Sequence, residues 1–322
     1  MLSIIKGDVY RVLPPSTILT KTIIEEDNQS IPEWFKKEYA HWKEVVSDRE
    51  FPCPFGTVAE IKGHLRYFYV ENDNFHSLPH VLREFLDLSR RTRTRHAFVI
   101  FIKPEIPEKP FAYYESYFWD IINYLHVNDE MEWCEDISIH PDDANWEFCF
   151  DGEPIFVSAN MPGYKHRITR NIGNSLILIF QPRRIFNDIS YKTNRGKNAI
   201  NLIRSRVESI EKLPFHPDLG EYGNEGYREW KQYIITDGIE PRSGQCPFRS
   251  NEIRNEKKYH LVALHCTGFL RRWSNEPPLI FIYTTKFSRY ICKKAPFDFC
   301  VYVILSKFIY KIFLYLEYDF SD

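Results

Sequence analysis

The stretch Trp146 to Ile189, WEFCFDGEPIFVSANMPGYKHRITRNIGNSLILIFQPRRIFNDI, contains the densest combination of strand and turn signals in this chain of 322 residues. Its Asp151-Gly152 pair lies between two apolar runs, and such a pair is the strongest short-range signal for a β-hairpin. We therefore predict that residues 146–150 and 155–159 form paired strands. A third apolar run, at 176–180, predicts another strand after a break that contains proline and glycine.

Basic residues follow the second and the third of these strands. The first cluster contains Lys165, His166, Arg167 and Arg170, and the second contains Arg183 and Arg184. A guanidinium group binds a planar carboxylate through two parallel hydrogen bonds, so either cluster suits an anionic cofactor or substrate group. We give equal weight to a second interpretation, surface charge that pairs with Asp142, Asp143 or Glu147.

The rest of the chain alternates between helical and strand patterns. Apolar residues at helical spacing predict helices at 31–46, 78–88, 111–126, 198–213 and 227–234, and short apolar runs predict strands at 65–70 and 97–102. The run at 97–102 is apolar on both faces, which indicates a strand inside a sheet. The mixed order favours the α+β class: one domain, residues 1–250, with a central, largely antiparallel or mixed sheet of about five strands flanked by helices.

Two local features concern the starts of helices. Ser30, with Pro32 in the first turn, is predicted to cap the first long helix. Prolines on both sides of Cys53 predict a rigid loop at 51–56 instead of a helix, and this loop would present the thiol. The first thirty residues show no clear periodicity and are predicted to run along the surface.

Composition limits the classes of function. The formal net charge of -2 at pH 7 gives no support to a nucleic-acid partner. Seven cysteines at irregular spacing, and an N-terminus without a signal-peptide pattern, predict reduced thiols and a cytoplasmic location. The sequence has no CxxC, HExxH or GxGxxG pattern and no P-loop pattern, which argues against the commonest zinc, dinucleotide and nucleotide sites.

Residues 251–322 differ from the rest because they are rich in aromatic and basic residues. Within them, 299–316 approaches the length of a membrane-spanning helix. Lys307 and Lys311 interrupt it, and each central lysine costs roughly 2.5 to 3.5 kcal/mol of insertion free energy, so membrane contact of this tail is not expected. The open interpretations are an interfacial helix, an additional packed element, or a stretch not selected as protein, such as translation past a lost stop codon, which would be extraneous to the fold or poorly ordered. We favour the last.

Two histidines are candidates for chemistry. His126 lies near the C-terminal end of the apolar helix at 111–126, where an imidazole oriented by a carboxylate or carbonyl suits a proximal ligand of haem iron. The commoner role of such a residue is a core histidine with a satisfied hydrogen bond. His166 lies between Lys165 and Arg167, whose charges keep its ring neutral and available as a ligand; its other interpretation is a solvated surface residue.

Cys53 and Cys246 are the candidate thiol ligands, because each is followed by Pro-Phe. As thiolates they would bind a soft metal or haem iron. Pairing with each other, and simple burial as small apolar residues, are the alternatives. Cys149, in the middle of the first predicted strand, is interpreted as inert packing.

Several phrases of the sequence, in this order, resemble the YqcI/YcgG family. They are Phe51-Pro-Cys-Pro-Phe-Gly-Thr57, Trp146-Glu-Phe-Cys-Phe150 followed by Gly152-Glu-Pro154, Met161-Pro-Gly-Tyr-Lys-His-Arg167, Phe180-Gln-Pro-Arg-Arg-Ile-Phe186 and Gln245-Cys-Pro-Phe248. The resemblance covers residues 34–248, and the tail departs from it.

The resemblance implies a haem-dependent oxygenase that hydroxylates nitrogen. The expected cofactor is haem b, with dioxygen as co-substrate, an arginine-like amine or guanidine as substrate, and an electron donor as partner. The position of His126 in its helix makes it the expected iron ligand, with His166 as the alternative. The other residues expected in the cofactor site are Arg167, Arg170, Arg183 and Cys53. The alternative function is a non-catalytic haem or small-molecule binding protein or sensor.

Overall fold

Five strands form a sheet at the centre of the described part of the chain. In this computed structural model they are β1 Arg66–Val70, β2 Phe98–Ile102, β3 Cys149–Phe150, β4 Glu153–Asn160 and β5 Leu176–Pro182, in the order β1-β2-β5-β4-β3. Strands β1 and β2 are parallel, and the other neighbours are antiparallel. The predicted α+β fold with a mixed sheet is confirmed.

The structure describes residues 17–26, 30–71, 75–92, 94–189 and 192–249, and all of them belong to one compact unit. The tail at 251–322 lies outside the described residues, and so do the interpretations given for it. Among the described residues, no helix is both long and apolar enough to cross a membrane.

Helices pack on both sides of the sheet. Those of the described residues are α1 Lys21–Glu26, α2 Glu33–Ser47, α3 Pro54–Ile61, α4 Leu78–Arg90, α5 Phe111–Val127, α6 Asn194–Glu211 and α7 Glu229–Tyr233. Helices α2, α4, α5, α6 and α7 match the predicted helices, with ends shifted by a few residues. Helix α1 was not predicted, because six residues are too few to establish a period.

Two predictions about helix starts are wrong. Residues 54–61 form α3, where a loop was predicted, because Pro54 occupies the first helical turn, the one place where a helix accepts proline. Cys53 caps this helix, and its Sγ accepts a hydrogen bond from the Gly56 N–H at 3.4 Å. The residue at the N-cap of α2 is Pro32 instead of Ser30.

The hairpin at Asp151-Gly152 is confirmed, and its first strand is shorter than predicted. Asp151 and Gly152 have φ angles of 53° and 70°, the positive values that a two-residue type I′ turn needs. Residues 149–150 form β3. At the preceding residue the Phe148 carbonyl still accepts from the Ile155 N–H at 2.8 Å, but the Phe148 N–H donates to the hydroxyl of Tyr233 at 3.0 Å.

Strand β2 contributes to the core on both faces of the sheet. Phe98, Ile100 and Ile102 belong to one apolar cluster, with residues of α4, α5 and α7. Val99 and Phe101 belong to a second cluster, with residues of α2. Since a strand alternates its side chains between faces, a strand that is apolar throughout must have a packed layer on each side, as its sequence predicted.

Candidate functional site

The two basic clusters lie at opposite ends of β5. Asn160, which ends β4, pairs with Ile177, whereas Pro182, which ends β5, pairs with Ile155. Because the two strands are antiparallel and β5 has seven residues, roughly 20 Å of strand separates the loop after β4 from the turn after β5. One bound group cannot contact both clusters.

Arg183 binds two buried carboxylates. Its Nε donates to Glu147 at 2.8 Å, and its Nη2 donates to both Glu147 and Glu229. The ring of Tyr222 lies against the guanidinium carbon, 4.3 Å from the ring centroid. We call Arg183, Glu147 and Glu229 the Arg183 cluster. Arg183 therefore pairs with Glu147, as one of the two interpretations of the sequence expected. The pair is not at the surface, because Glu147 is fully buried.

Burial and mutual repulsion shift the protonation of this cluster. Burial raises the pKa of Glu147 to about 8, the charge of Glu229 adds to the shift, and Arg183 opposes it. Burial also raises the pKa of Glu229, again against the attraction of Arg183. One arginine therefore does not hold both carboxylates ionised at neutral pH. The N–H groups of Arg183 that bond to Glu147 and Glu229 are also not available to an external anion.

Arg167 lies at the other end of β5 and is completely buried. Its Nη1 donates to Glu211 at 2.8 Å and to the Pro214 carbonyl at 2.9 Å, and its Nε and Nη2 donate to the Gly238 carbonyl. This side chain ties the loop after β4 to α6 and to the segment before residue 240. Arg170 differs: its Nη1 is buried and meets no hydrogen-bond acceptor among the described residues.

His166 is at the surface, with 71% of its side chain exposed. Its Nδ1 lies 3.0 Å from Asp237, and the backbone N–H groups of Lys165, His166 and Arg167 all donate to the same carboxylate. Burial would raise the pKa of Asp237, but the Arg167 and His166 donors outweigh it and lower that pKa. The structure therefore does not put His166 in an apolar slot.

His126 is buried at the end of α5, as expected, and aromatic rings enclose it. The ring centroids of Phe248 and Trp133 lie 4.8 and 5.4 Å from its own, and Trp146 lies 5.2 Å from Phe248. A macrocycle cannot lie against the imidazole while these rings hold their positions. As described, the residues around His126 do not fit a haem.

The two candidate thiols are held in their protonated forms. Burial raises the pKa of Cys53 and raises that of Cys246 to about 12. The Sγ of Cys246 accepts a hydrogen bond from the Phe248 N–H at 3.4 Å. Phe248, the last residue of the second Cys-Pro-Phe sequence, has the ring that covers His126. Among the described residues, no group of three or more His, Cys, Asp or Glu side chains is arranged to hold a metal ion.

A cavity of about 280 Å³ lies along α5, and the sequence analysis missed it. Glu115, Asp120 and Asn123 line it from the helix, and Pro247 and Arg249 line it from the last described segment. Burial raises the pKa of Asp120 against the charge of Arg249. Ligand pockets measure roughly 300–1,000 Å³, so this cavity suits a molecule of about amino-acid size.

Asn123 joins the cavity to the His126 region. Its amide donates to the Pro247 carbonyl at 3.2 Å and accepts from the Arg249 N–H at 2.8 Å, which fixes the segment that carries Phe248. Asn123 precedes His126 by three residues, so the cavity ends about one helical turn from the imidazole. The signal in the sequence was a polar stripe on an otherwise apolar helix.

Comparison with known proteins assigns the chain to a family. The family model described as the YqcI/YcgG family matches residues 42–249. The chain belongs to this family. The uncharacterized protein YcgG of Bacillus subtilis (strain 168) is 37% identical over 240 residues, which cover 72% of this chain and 94% of YcgG. The uncharacterized protein YqcI of the same organism is 34% identical over 250 residues, 75% of this chain and 98% of YqcI.

A more distant relative carries a name that describes an activity. DcsA of Streptomyces lavendulae, whose name proposes that it is an N(omega)-hydroxy-L-arginine synthase, is 26% identical over 232 residues. The match covers 70% of this chain and 87% of DcsA. No solved structure matches this YqcI/YcgG chain.

Proposed function

We propose that this protein hydroxylates a nitrogen atom in the guanidine or amine group of a small molecule such as an arginine-like compound. The observation that carries the proposal is the cavity along α5, which is lined by the carboxylate of Asp120, by Glu115, whose carboxylate also pairs with Arg242, and by Asn123. The name of DcsA, which describes arginine hydroxylated on a guanidine nitrogen, supports it.

The residues of the cavity suit a planar cation. A carboxylate accepts two parallel hydrogen bonds from a guanidinium group, and Asn123 keeps the neighbouring segment in place by its own two bonds. Hydroxylation needs a nitrogen with an available lone pair, so a proton must leave the guanidinium. Asp120 is our candidate acceptor of that proton, because a carboxylate with a raised pKa is the stronger base.

The proposal includes dioxygen as the source of the oxygen atom, an electron donor as the source of the electrons, and haem b as the cofactor that would activate dioxygen. Binding of haem at His126 would require Phe248 to leave the face of the imidazole, where it now lies at 4.8 Å. Protein mixed with haem should develop a Soret absorption band that His126→Ala abolishes or shifts and that Phe248→Ala intensifies. His166→Ala is the matched control and should leave the band unchanged. A colourless protein would overturn the haem proposal.

Turnover tests the proposed reaction directly. Protein supplied with haem, dioxygen, a reductant and L-arginine should form a product that has gained one oxygen atom, as measured by mass spectrometry. Asp120→Asn should raise KM and lower kcat, whereas Glu130→Gln, at a side chain that is 81% exposed, should change neither. Calorimetric titration with L-arginine separates binding from chemistry: binding without product would reduce the proposal to a small-molecule binding protein.

A further inference from the structure

Two opposite charges line the cavity along α5 and form no ion pair with any described residue. Asp120 and Arg249 are both lining residues, both are exposed to solvent, and they do not pair with each other. The third ionisable residue of the lining, Glu115, differs because its carboxylate pairs with Arg242. The lining therefore has one carboxylate and one guanidinium group that remain available to a ligand.

Helix α5 fixes the position of both residues. Asp120 and Asn123 are three residues apart, so they lie on the same face of the helix. The Asn123 amide donates to the Pro247 carbonyl and accepts from the Arg249 N–H at 2.8 Å, which holds the backbone of Arg249 beside this face. Burial raises the pKa of Asp120, and the charge of Arg249 opposes that rise. The two charges thus act on the same stretch of the cavity without forming an ion pair.

Apolar surface lines the same cavity, whose volume is about 280 Å³. Ala112, Trp119 and Pro247 contribute to its walls. A ligand that matches this lining has methylene groups, a cationic group for Asp120 and an anionic group for Arg249. An amine without a carboxylate would leave Arg249 without a counter-charge, and an acid without a cationic group would leave Asp120 without one.

We propose that Arg249 makes this cavity specific for an amino acid, by binding the ligand carboxylate while Asp120 binds the cationic end. The guanidinium fork matches a carboxylate through two parallel hydrogen bonds. This inference rests on the proposed function, because it specifies which arginine-like compounds the same cavity accepts. Arg249 determines specificity through binding and takes no part in the transfer of oxygen.

The test is calorimetric titration of the full chain with two matched pairs of ligands, L-arginine with agmatine and L-lysine with cadaverine. The second molecule of each pair lacks the carboxyl group. In at least one pair, wild type should bind the amino acid roughly tenfold more tightly than the amine, as expected for hydrogen bonds between charged groups. Arg249→Gln, which retains the backbone bond to Asn123, should remove this preference by weakening binding of the amino acid alone. Arg249→Lys, which keeps the charge but not the fork, should retain part of it.

Arg195→Gln is the matched control, because Arg195 is 65% exposed on α6 and pairs with Asp188 outside the cavity lining. It should keep the full preference, whereas Asp120→Asn should weaken both members of a pair. A wild type that binds the amine as tightly as the amino acid, or an Arg249→Gln variant that keeps the preference, would overturn this inference and leave the proposed function standing. Preference for the amino acid without an oxygenated product would overturn the proposed function alone. Binding of none of the four ligands would overturn both.

Discussion

The two ends of β5 use the same residue type in opposite ways. At the C-terminal end, Arg183 is one cation between two buried carboxylates, so the carboxylates outnumber the positive charges. At the N-terminal end, Arg167 has its carboxylate and Arg170 has none among the described residues. The contrast shows that the buried partners decide what an arginine does, because a guanidinium group next to fixed carboxylates stabilises the fold, and one with a free donor is available to a ligand.

Removal of Arg183 should have the largest effect. Arg183→Met would leave Glu147 and Glu229 buried without a counter-charge, and the loss of one partner from a buried ion pair costs about 3 to 5 kcal/mol. Urea denaturation should show this decrease in the free energy of unfolding. Arg184→Met is the comparison, since its partner Glu153 also bonds to Arg90; the expected loss is about 1 kcal/mol or less. Equal losses in the two variants would contradict the contrast.

The Arg183 cluster should also make stability depend on pH. The pKa of Glu147 is about 8 in the folded protein against an ordinary value of 4.5, so the folded state binds more protons between these limits. The resulting stabilisation is complete below about pH 4.5 and is lost as the pH rises through 8, with a slope of at most about 1.4 kcal/mol per pH unit.

Glu147→Gln removes the titrating group while its amide oxygen can still accept from Arg183. Between pH 6 and 9 the free energy of unfolding of this variant should fall less steeply than that of wild type, as measured by urea denaturation at several pH values. Glu211→Gln, at the other end of β5, serves as the comparison. If the wild-type slope persists in Glu147→Gln, another group causes it.

Local chemistry explains the parts of the fold that the sequence predicted. Asp151-Gly152 requires positive φ, and the apolar run at 98–102 requires a packed layer on each face, so both could be read from neighbouring residues. The loop predicted around Cys53 was wrong because proline was considered only as a residue that breaks helices. Proline in the first turn is equally local information, and it would have predicted α3.

The site depends on contacts between distant residues, and these were out of reach. The cavity along α5 exists because Pro247 and Arg249 come against Asp120 and Asn123, a contact that no spacing within the helix reveals. His126 was correctly predicted to lie on a buried stripe of its helix. Its contact with Phe248 could not be predicted, because Phe248 belongs to the same distant segment. The separation of the arginine clusters was deducible, since consecutive antiparallel strands end at opposite edges of a sheet.

The smallest expected effect, and the sharpest test of the contrast, is the stability change on replacing Arg170. Arg170→Met should leave the free energy of unfolding unchanged or raise it slightly, because an apolar side chain replaces a buried donor that has no acceptor among the described residues. Its neighbour Arg167 is the comparison: Arg167→Met would orphan Glu211 and should cost about 3 to 5 kcal/mol. A similar loss in Arg170→Met would mean that Arg170 has a partner within the protein, and the two ends of β5 would then use arginine in the same way.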